Sequence, residues 1–463
     1  MQEFSKIENA IKTRMAGQPA GIIEDFTEKA KLVHAGATGK ADWANIGDLR
    51  EDDQVKLADL TETDQALYSK LVLVKLNGGL GTSMGLSKAK SLIGIRKDKT
   101  FFDVILEQLQ VIRERTGKKI PLLFMNSFNT QADTLNYRGI AKLNDDLPSD
   151  FLQNMVPRLD AGTLEPLEIN GIEDTSHPDL WCPPGHGDIF LSLKETGLLD
   201  KLIEQGYEYA FLSNGDNLGA VVDGRIITMM ARQSIDFAME VTPKTKADIK
   251  GGVLYREKNG AQRIQLLETA QVPEGHMPDF EDINRFEFFS INNLWVRLPA
   301  LKERLRQGPL SLSLIVNPKE VGGKKVLQLE CAMGSGIGQF DKTKVIEVPR
   351  SRFAPVKKCD DLLVRRSDAY ILDENKALVK NPQGRGVEPV VKLSDDYKKV
   401  ADFERLVQEV PSILELEELV VEGPVLFDIP VTLKGKVKFI AQNGTAKISK
   451  LGKTSFENET LQL

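Results

Sequence analysis

This sequence predicts an α/β fold, a mixed but mainly parallel Rossmann-like sheet followed by a C-terminal β-solenoid, and three observations carry that prediction. Leu71-Val72-Leu73-Val74-Lys75-Leu76 is an almost unbroken apolar run, the pattern of a strand buried on both faces of a parallel sheet. Behind it come a glycine-rich loop, an amphipathic stretch and a second apolar run at residues 120–125. Together these make a βαβ unit whose crossover is right-handed and whose ligand lies at the carboxyl ends of the strands. From about Leu419 the pattern changes to Val, Leu, Ile and Phe at every second residue, broken by Gly423-Pro424, Gly435, Asn443-Gly444 and Gly452, which reads as short strands at regular spacing.

A chain of 463 residues buries a large core and divides into two or three domains. A net charge of -6 argues against nucleic acid as the main partner, because phosphate backbones attract broad basic faces. The three cysteines, Cys182, Cys331 and Cys359, have no metal-ligand spacing and offer no disulfide framework. No apolar run approaches the ~20 residues of a membrane span, and Met1-Gln2-Glu3-Phe4-Ser5 lacks the pattern of a secretory leader. The expectation is a cytoplasmic protein with no membrane partner.

In chain order, Phe4, Ile7, Ile11 and Met15 form one helical stripe and Ile22, Ile23, Phe26, Ala30 and Val33 a second. Both read as packing. Residues 35–52 are rich in Gly, Ala and Asp and read as a connection before a sheet that begins at Leu71. The loop Leu76-Asn77-Gly78-Gly79-Leu80-Gly81-Thr82-Ser83-Met84-Gly85 then places four glycines in eight residues, so that successive N–H groups can wrap an anion or approach a base. It fails the Walker A spacing, and its G-x-G-x-x-x-G misses the dinucleotide fingerprint by one residue. Leu76, Asn77, Gly78 and Gly79 therefore read as a cradle for a phosphorylated nucleotide of another kind.

Phe102, Ile105, Leu109 and Ile112 mark a helix over residues 101–116, closed by Gly117. Pro183-Pro184-Gly185-His186-Gly187-Asp188 opens a helix running to about Gln205, with a histidine at the end that favours anions. Tyr209-Ala210-Phe211-Leu212 is a strand ending in Ser213-Asn214-Gly215-Asp216, where a carboxylate can hold Mg²⁺ together with phosphate oxygens. Residues 253–258 and 263–268 pair across Asn259-Gly260 as a hairpin. Asn292 and Asn293, adjacent amides after an apolar stretch, suit the hydroxyls of a sugar. Arg350-Ser351-Arg352-Phe353-Ala354-Pro355-Val356-Lys357-Lys358 is the one strongly basic motif.

Six motifs in fixed order, residues 76–85, 125–130, 183–189, 213–220, 292–295 and 348–357, resemble those of the eukaryotic-type UDP-glucose pyrophosphorylases and cover most of residues 70–370. The resemblance implies a glycosyltransferase-A-like nucleotidyltransferase sheet, a C-terminal left-handed β-helix used for subunit contacts, and synthesis of UDP-glucose and pyrophosphate from UTP and glucose 1-phosphate. It implies that Gln153 and Gly185 meet the uridine, His186 and Asn214 the sugar-phosphate side, and Asn292, Asn293 and Glu330 the sugar. It further implies that Asp216 meets the α-phosphate through Mg²⁺, and that Lys90 and Lys357 are the catalytic cations. The expected division is N-terminal helices at 1–45, a catalytic domain at 46–370 and a C-terminal domain at 371–463. The tail is short for the family, which leaves a homo-oligomer open.

Two departures stand out. Lys88-Ala89-Lys90 replaces the family's usual Gly-Pro-Lys, which leaves the approach to Lys90 less rigid and Lys88 able to share its role; Gly215 replaces a bulkier apolar residue, which leaves the backbone beside Asp216 freer. Galactose 1-phosphate or an N-acetylhexosamine 1-phosphate stays open as the substrate, as does an inactive nucleotide-sugar-binding protein.

Overall fold

Strand β1 (Gln54–Lys56), β2 (Leu71–Asn77), β3 (Leu122–Asn126), β4 (Asp150–Leu152), β5 (Tyr209–Asn214), β6 (Phe237–Pro243), β7 (Phe288–Arg297) and β8 (Thr343–Glu347) form one sheet in the order β1-β8-β6-β7-β5-β2-β3-β4. The computed structural model describes residues 2–96, 98–245 and 248–463. β7 runs antiparallel to both of its neighbours, and the remaining pairings in the sheet are parallel. The carboxyl ends of β2, β3, β5 and β6 therefore meet the amino-terminal half of β7 along one edge. That edge is where the glycine loop, Asn214 and Asn292 lie.

Leu71, Val72, Leu73 and Val74 are all buried, as expected for a strand covered on both faces. Helix α1 (Gln2–Arg14) and α2 (Ala20–His34) bury Ile7, Ile11, Ile22 and Phe26 against Val156, Trp181 and Val326, away from the sheet's centre. Helix α3 (Phe101–Thr116) crosses from β2 to β3; Thr100 and Asp103 cap its start reciprocally, and Gly117 ends it at φ 64°.

Two expectations change, and a third, subunit contact through the tail, gains no support. The sheet begins at Gln54, since β1 pairs with β8, and Ile46–Gly47 pairs with Arg256 and Glu257; strands of two or three residues carry no readable period. The helix expected up to Gln205 is two, Ile189–Glu195 and Leu198–Glu204, because Gly197 sits at φ 70° between them and breaks a pattern whose apolar spacing is continuous. The third is in the tail, where Val390–Leu393, Ser412–Glu422, Thr432–Ile440, Ser455–Glu457 and Thr460–Gln462 form one all-parallel sheet and Val425–Leu426 with Ala446–Lys447 a separate pair. Its Leu419, Val437 and Phe439 belong to the same apolar core as Phe101 and Phe102. The tail thus packs on the domain that precedes it, and the fold gives no support to its use in subunit contact.

A buried ion pair ties the sheet to the basic motif. Glu240 of β6, fully buried, accepts from Arg352 Nε at 2.7 Å and Nη2 at 2.6 Å, from Asn293 Nδ2 at 2.9 Å and from Trp295 Nε1 at 2.9 Å. Asn217 then joins in, donating to the Arg352 carbonyl at 3.0 Å and accepting from Ala354 N at 2.9 Å. We expect Arg352→Met to destabilise the protein by about 3–5 kcal/mol, because it strands a buried carboxylate. Urea unfolding measures this, and a loss under about 1 kcal/mol would count against the role of the pair.

Candidate active site

The glycine loop leaves β2 with its base already fixed. Asn77 Nδ2 donates to Asn126 Oδ1 at 2.9 Å and Thr134 Oγ1 at 2.8 Å, Ser91 Oγ donates to Asn77 Oδ1, and Ser127 Oγ holds the Gly78 carbonyl at 2.8 Å. Neighbouring strand ends are stitched together in this way before any ligand arrives. Gly81 and Gly85 take φ 69° and 71°, which a side chain would oppose. A Cβ on Gly78 would lie 2.5 Å from Gln153 Nε2. The Gln153 amide is thus laid against the loop, and the Gln153 N–H donates to the Asn126 carbonyl at 2.8 Å.

Gly185 has φ 84°, and a Cβ there would sit 2.4 Å from the Cys331 carbonyl oxygen. Glycine is needed for both reasons, and the close approach brings Glu330 alongside. His186 Nδ1 accepts from Met333 N at 3.0 Å, so in the neutral ring the proton is on Nε2. Burial pushes the His186 pKa down to about 4, which keeps the ring a neutral donor. Asp188 accepts from Asn154 N at 2.6 Å, Asn154 Nδ2 at 2.9 Å and Ser192 Oγ at 2.6 Å, and so fastens the turn that carries Gln153. Helix α2 adds more than packing: Lys29, buried, donates to Asp25 and lies 3.6 Å from Cys331 Sγ behind this wall.

Lys90 Nζ meets Asp216 Oδ2 at 2.6 Å, both side chains about one-fifth exposed (18% and 22%). The two departures have structural answers. Ala89 N donates to Asp133 Oδ2 at 2.8 Å, a bond proline has no N–H to make; the approach to Lys90 is held, and Lys88 is exposed. Gly215 N donates to the Leu76 carbonyl at 2.9 Å, and a Cβ there would stand 2.8 Å from that oxygen. The backbone beside Asp216 is therefore closely packed on β2 rather than free.

Asn292, at φ 57° in a break of register within β7, donates from Nδ2 to Asn214 Oδ1 at 2.7 Å. Asn293 faces the other way and is fully buried on Glu240. The structure brings Asn214 and Asn292 to the edge and keeps the Asn293 amide out of it. Glu330 Oε1 accepts from Asn317 Nδ2 at 2.9 Å. Lys357 is exposed, its N–H donates to Asp361 Oδ2 at 2.7 Å, and its ammonium lies 6.0 Å from the Phe353 ring centre. Burial raises the Glu268 carboxyl pKa, and the Lys357 charge opposes that rise. Glu268, just after the hairpin's second strand, thus lies within electrostatic reach of Lys357, and no sequence signal singles it out.

Among the described residues no group of three His, Cys, Asp or Glu side chains could hold a metal by itself. Asp216 still fits Mg²⁺, which takes one or two carboxylates and completes its shell with substrate phosphates and water. The donor set suits a metal that arrives with the nucleotide.

Residues 23–434 match the family model described as UTP–glucose-1-phosphate uridylyltransferase. The chain is 45% identical over 380 residues to the UTP–glucose-1-phosphate uridylyltransferase of Solanum tuberosum, covering 82% of this chain and 78% of that one. It is 41% identical over 396 residues to UTP–glucose-1-phosphate uridylyltransferase 2 of Dictyostelium discoideum, covering 85% and 78%. A variant of UDP-glucose pyrophosphorylase from Leishmania major in complex with UDP-glucose superposes with a TM-score of 0.90 at 37% identity over 99% of both chains. UDP-glucose phosphorylase from Trypanosoma brucei does so at 0.88 and 34% over 100% of both.

The low pKa of His186 has a signed consequence. The unfolded ring binds a proton below the ordinary 6.5 and the folded ring only near 4, so His186 supports the fold fully above pH 6.5 and loses that contribution as pH falls toward 4. We expect the His186 ring signals in NMR to titrate near pH 4, and a midpoint near 6.5 would contradict the burial argument.

Proposed function

The chain belongs to the UTP–glucose-1-phosphate uridylyltransferase family, and from that membership we infer how its own residues join UTP to glucose 1-phosphate to give UDP-glucose and pyrophosphate. It is a nucleotidyltransferase. The observation that carries the residue-level reading is the contact of Lys90 with Asp216 at 2.6 Å, at the strand edge where the glycine loop begins.

In this reading a phosphate oxygen of glucose 1-phosphate attacks the α-phosphorus of UTP in line, and the bond to the bridging oxygen of pyrophosphate breaks. No general base is required, since the attacking oxygen is already ionised. The chain's work is alignment and neutralisation of charge. The backbone at Leu76, Asn77, Gly78 and Gly79 cradles the nucleotide, with Gln153 and Gly185 against its base. His186, neutral with its proton on Nε2, donates to the sugar phosphate. Asn214 and Asn292 take sugar hydroxyls, with Glu330 and Glu268 nearby; Asn293 acts by holding Glu240. Lys90 and Lys357 approach the phosphates from opposite sides. Asp216 would hold Mg²⁺, which supplies positive charge at the α-phosphate.

The tail is proposed as a short left-handed β-helix, supported by its all-parallel pairings, and residues 46–370 as the catalytic domain. A cytoplasmic setting belongs to the same reading, supported by three free, buried cysteines.

Pyrophosphate release with UTP and glucose, galactose or N-acetylglucosamine 1-phosphate, with and without Mg²⁺, tests the assignment; glucose 1-phosphate with Mg²⁺ is expected to give the highest kcat/KM. We expect Asp216→Asn to fold and to require much higher Mg²⁺, and normal turnover at low Mg²⁺ would reject it as the ligand. Lys90→Met and Lys357→Met are each expected to lower kcat by about 10²- to 10³-fold with little change in UTP binding. Calorimetry beside steady-state kinetics separates the two effects: a Lys357→Met protein with normal kcat and weak UTP binding would make Lys357 a binding residue.

A further inference from the structure

Behind the edge that carries Asp216, between β2, β5 and α3, lies a cavity of about 30 Å³ lined by Leu73, Ile105, Leu109 and Phe211, with Lys75 and Ser213 facing into it. A single water needs roughly 10–15 Å³ by the same measure. Lys75 and Ser213 are register partners on adjacent parallel strands, so their side chains leave the same face of the sheet side by side. Both are buried, at 4% and 0% exposure.

Neither is satisfied by the protein. Lys75 Nζ donates to the Ala220 carbonyl at 3.1 Å, which leaves two of its three N–H groups without a partner among the described residues. Ser213 Oγ has no hydrogen-bond partner among them. The carboxylates whose charges reach Lys75 are already engaged: Asp216 by Lys90 at 2.6 Å and Glu240 by Arg352 at 2.6 Å. The Arg352 charge adds to the burial that pushes Lys75 down to about 7, and Arg115, bonded to Asn375, also lines the cavity. Positive charge is in excess around a small space with unused donors.

We propose that this cavity is a binding site for a small monovalent anion of halide size, held between the Lys75 ammonium and the Ser213 hydroxyl. An ammonium taken out of water without a carboxylate gains most from a counter-ion beside it, and the hydroxyl can only donate usefully into the same space. The apolar walls suit a weakly hydrated ion, and the volume excludes sulfate, phosphate and the reaction's own pyrophosphate. Because Lys75 also holds Ala220, in the turn that starts at Asn214, the anion fixes the back of the Asp216 loop.

The anion touches none of the groups assigned to the transfer reaction, and its test does not use turnover. Crystals of the full chain soaked in sodium bromide, measured at the bromine absorption edge, are expected to show an anomalous peak between Lys75 Nζ and Ser213 Oγ. A peak absent there, or ordinary density for water only, overturns the proposal. In solution, sodium bromide or chloride is expected to raise the thermal midpoint by about 2–4 °C over sodium gluconate at equal ionic strength. Ser213→Ala, which leaves a small buried side chain, is expected to shift the half-saturating halide concentration at least about tenfold upward, and Lys75→Met to remove the halide response. Equal halide responses in the wild type and in Ser213→Ala would reduce the effect to general ionic strength and overturn the site.

Discussion

Four segments of the site depend on one buried ion pair. Glu240 takes both donor edges of Arg352 as well as the Asn293 amide and the Trp295 indole, so one carboxylate fixes β6, β7 and the basic motif together. Charge buried this deeply is tolerated only when every lone pair is used. The arginine's backbone then carries Asn217, three residues from Asn214, and its chain continues to Lys357. Asn292, Asp216 and Lys357 thus keep their relative places because this buried interaction is complete.

Around that frame the polar groups sort by charge. In the proposed reading the nucleotide meets backbone and neutral donors, the glycine loop and Gln153, and the sugar phosphate meets His186, a histidine that burial keeps uncharged. In the same reading the cations stand at the phosphate side, where Lys90 is held by Asp216 and Lys357 is exposed. Lys90 and Asp216 already balance each other; in the proposed reaction a triphosphate with its metal would exchange this ion pair for others and leave no bare charge on either side. The same balance fails one layer behind, at Lys75, whose neighbouring carboxylates are spent on other cations.

The departures at Ala89 and Gly215 show how context decides rigidity. Proline fixes a backbone through its ring, and Ala89 fixes it through an N–H given to Asp133. Glycine loosens a chain in water, yet Gly215 sits against the Leu76 carbonyl with no room for a Cβ. In both places the local rule for the residue is outweighed by the partner that the sheet brings.

The sequence by itself determined what depends on neighbours along the chain. It gave β2 through its unbroken apolar run, the glycine loop and Gly185 through residue types that alone permit such backbones, α3 through its period and Gly117, and the family through six ordered motifs. Boundaries that turn on one residue or on very short strands, such as the break at Gly197 and the edge strand at Gln54, carry too little period to read. Only the tertiary structure decided that Asn292 faces the edge while Asn293 is spent on Glu240, that Glu268 comes within electrostatic reach of Lys357, that the tail shares a core with α3, and that Lys75 has no carboxylate of its own. Each of these depends on which strand lies beside which, and that choice is made by burial of the whole sheet, not by the residues that it brings together.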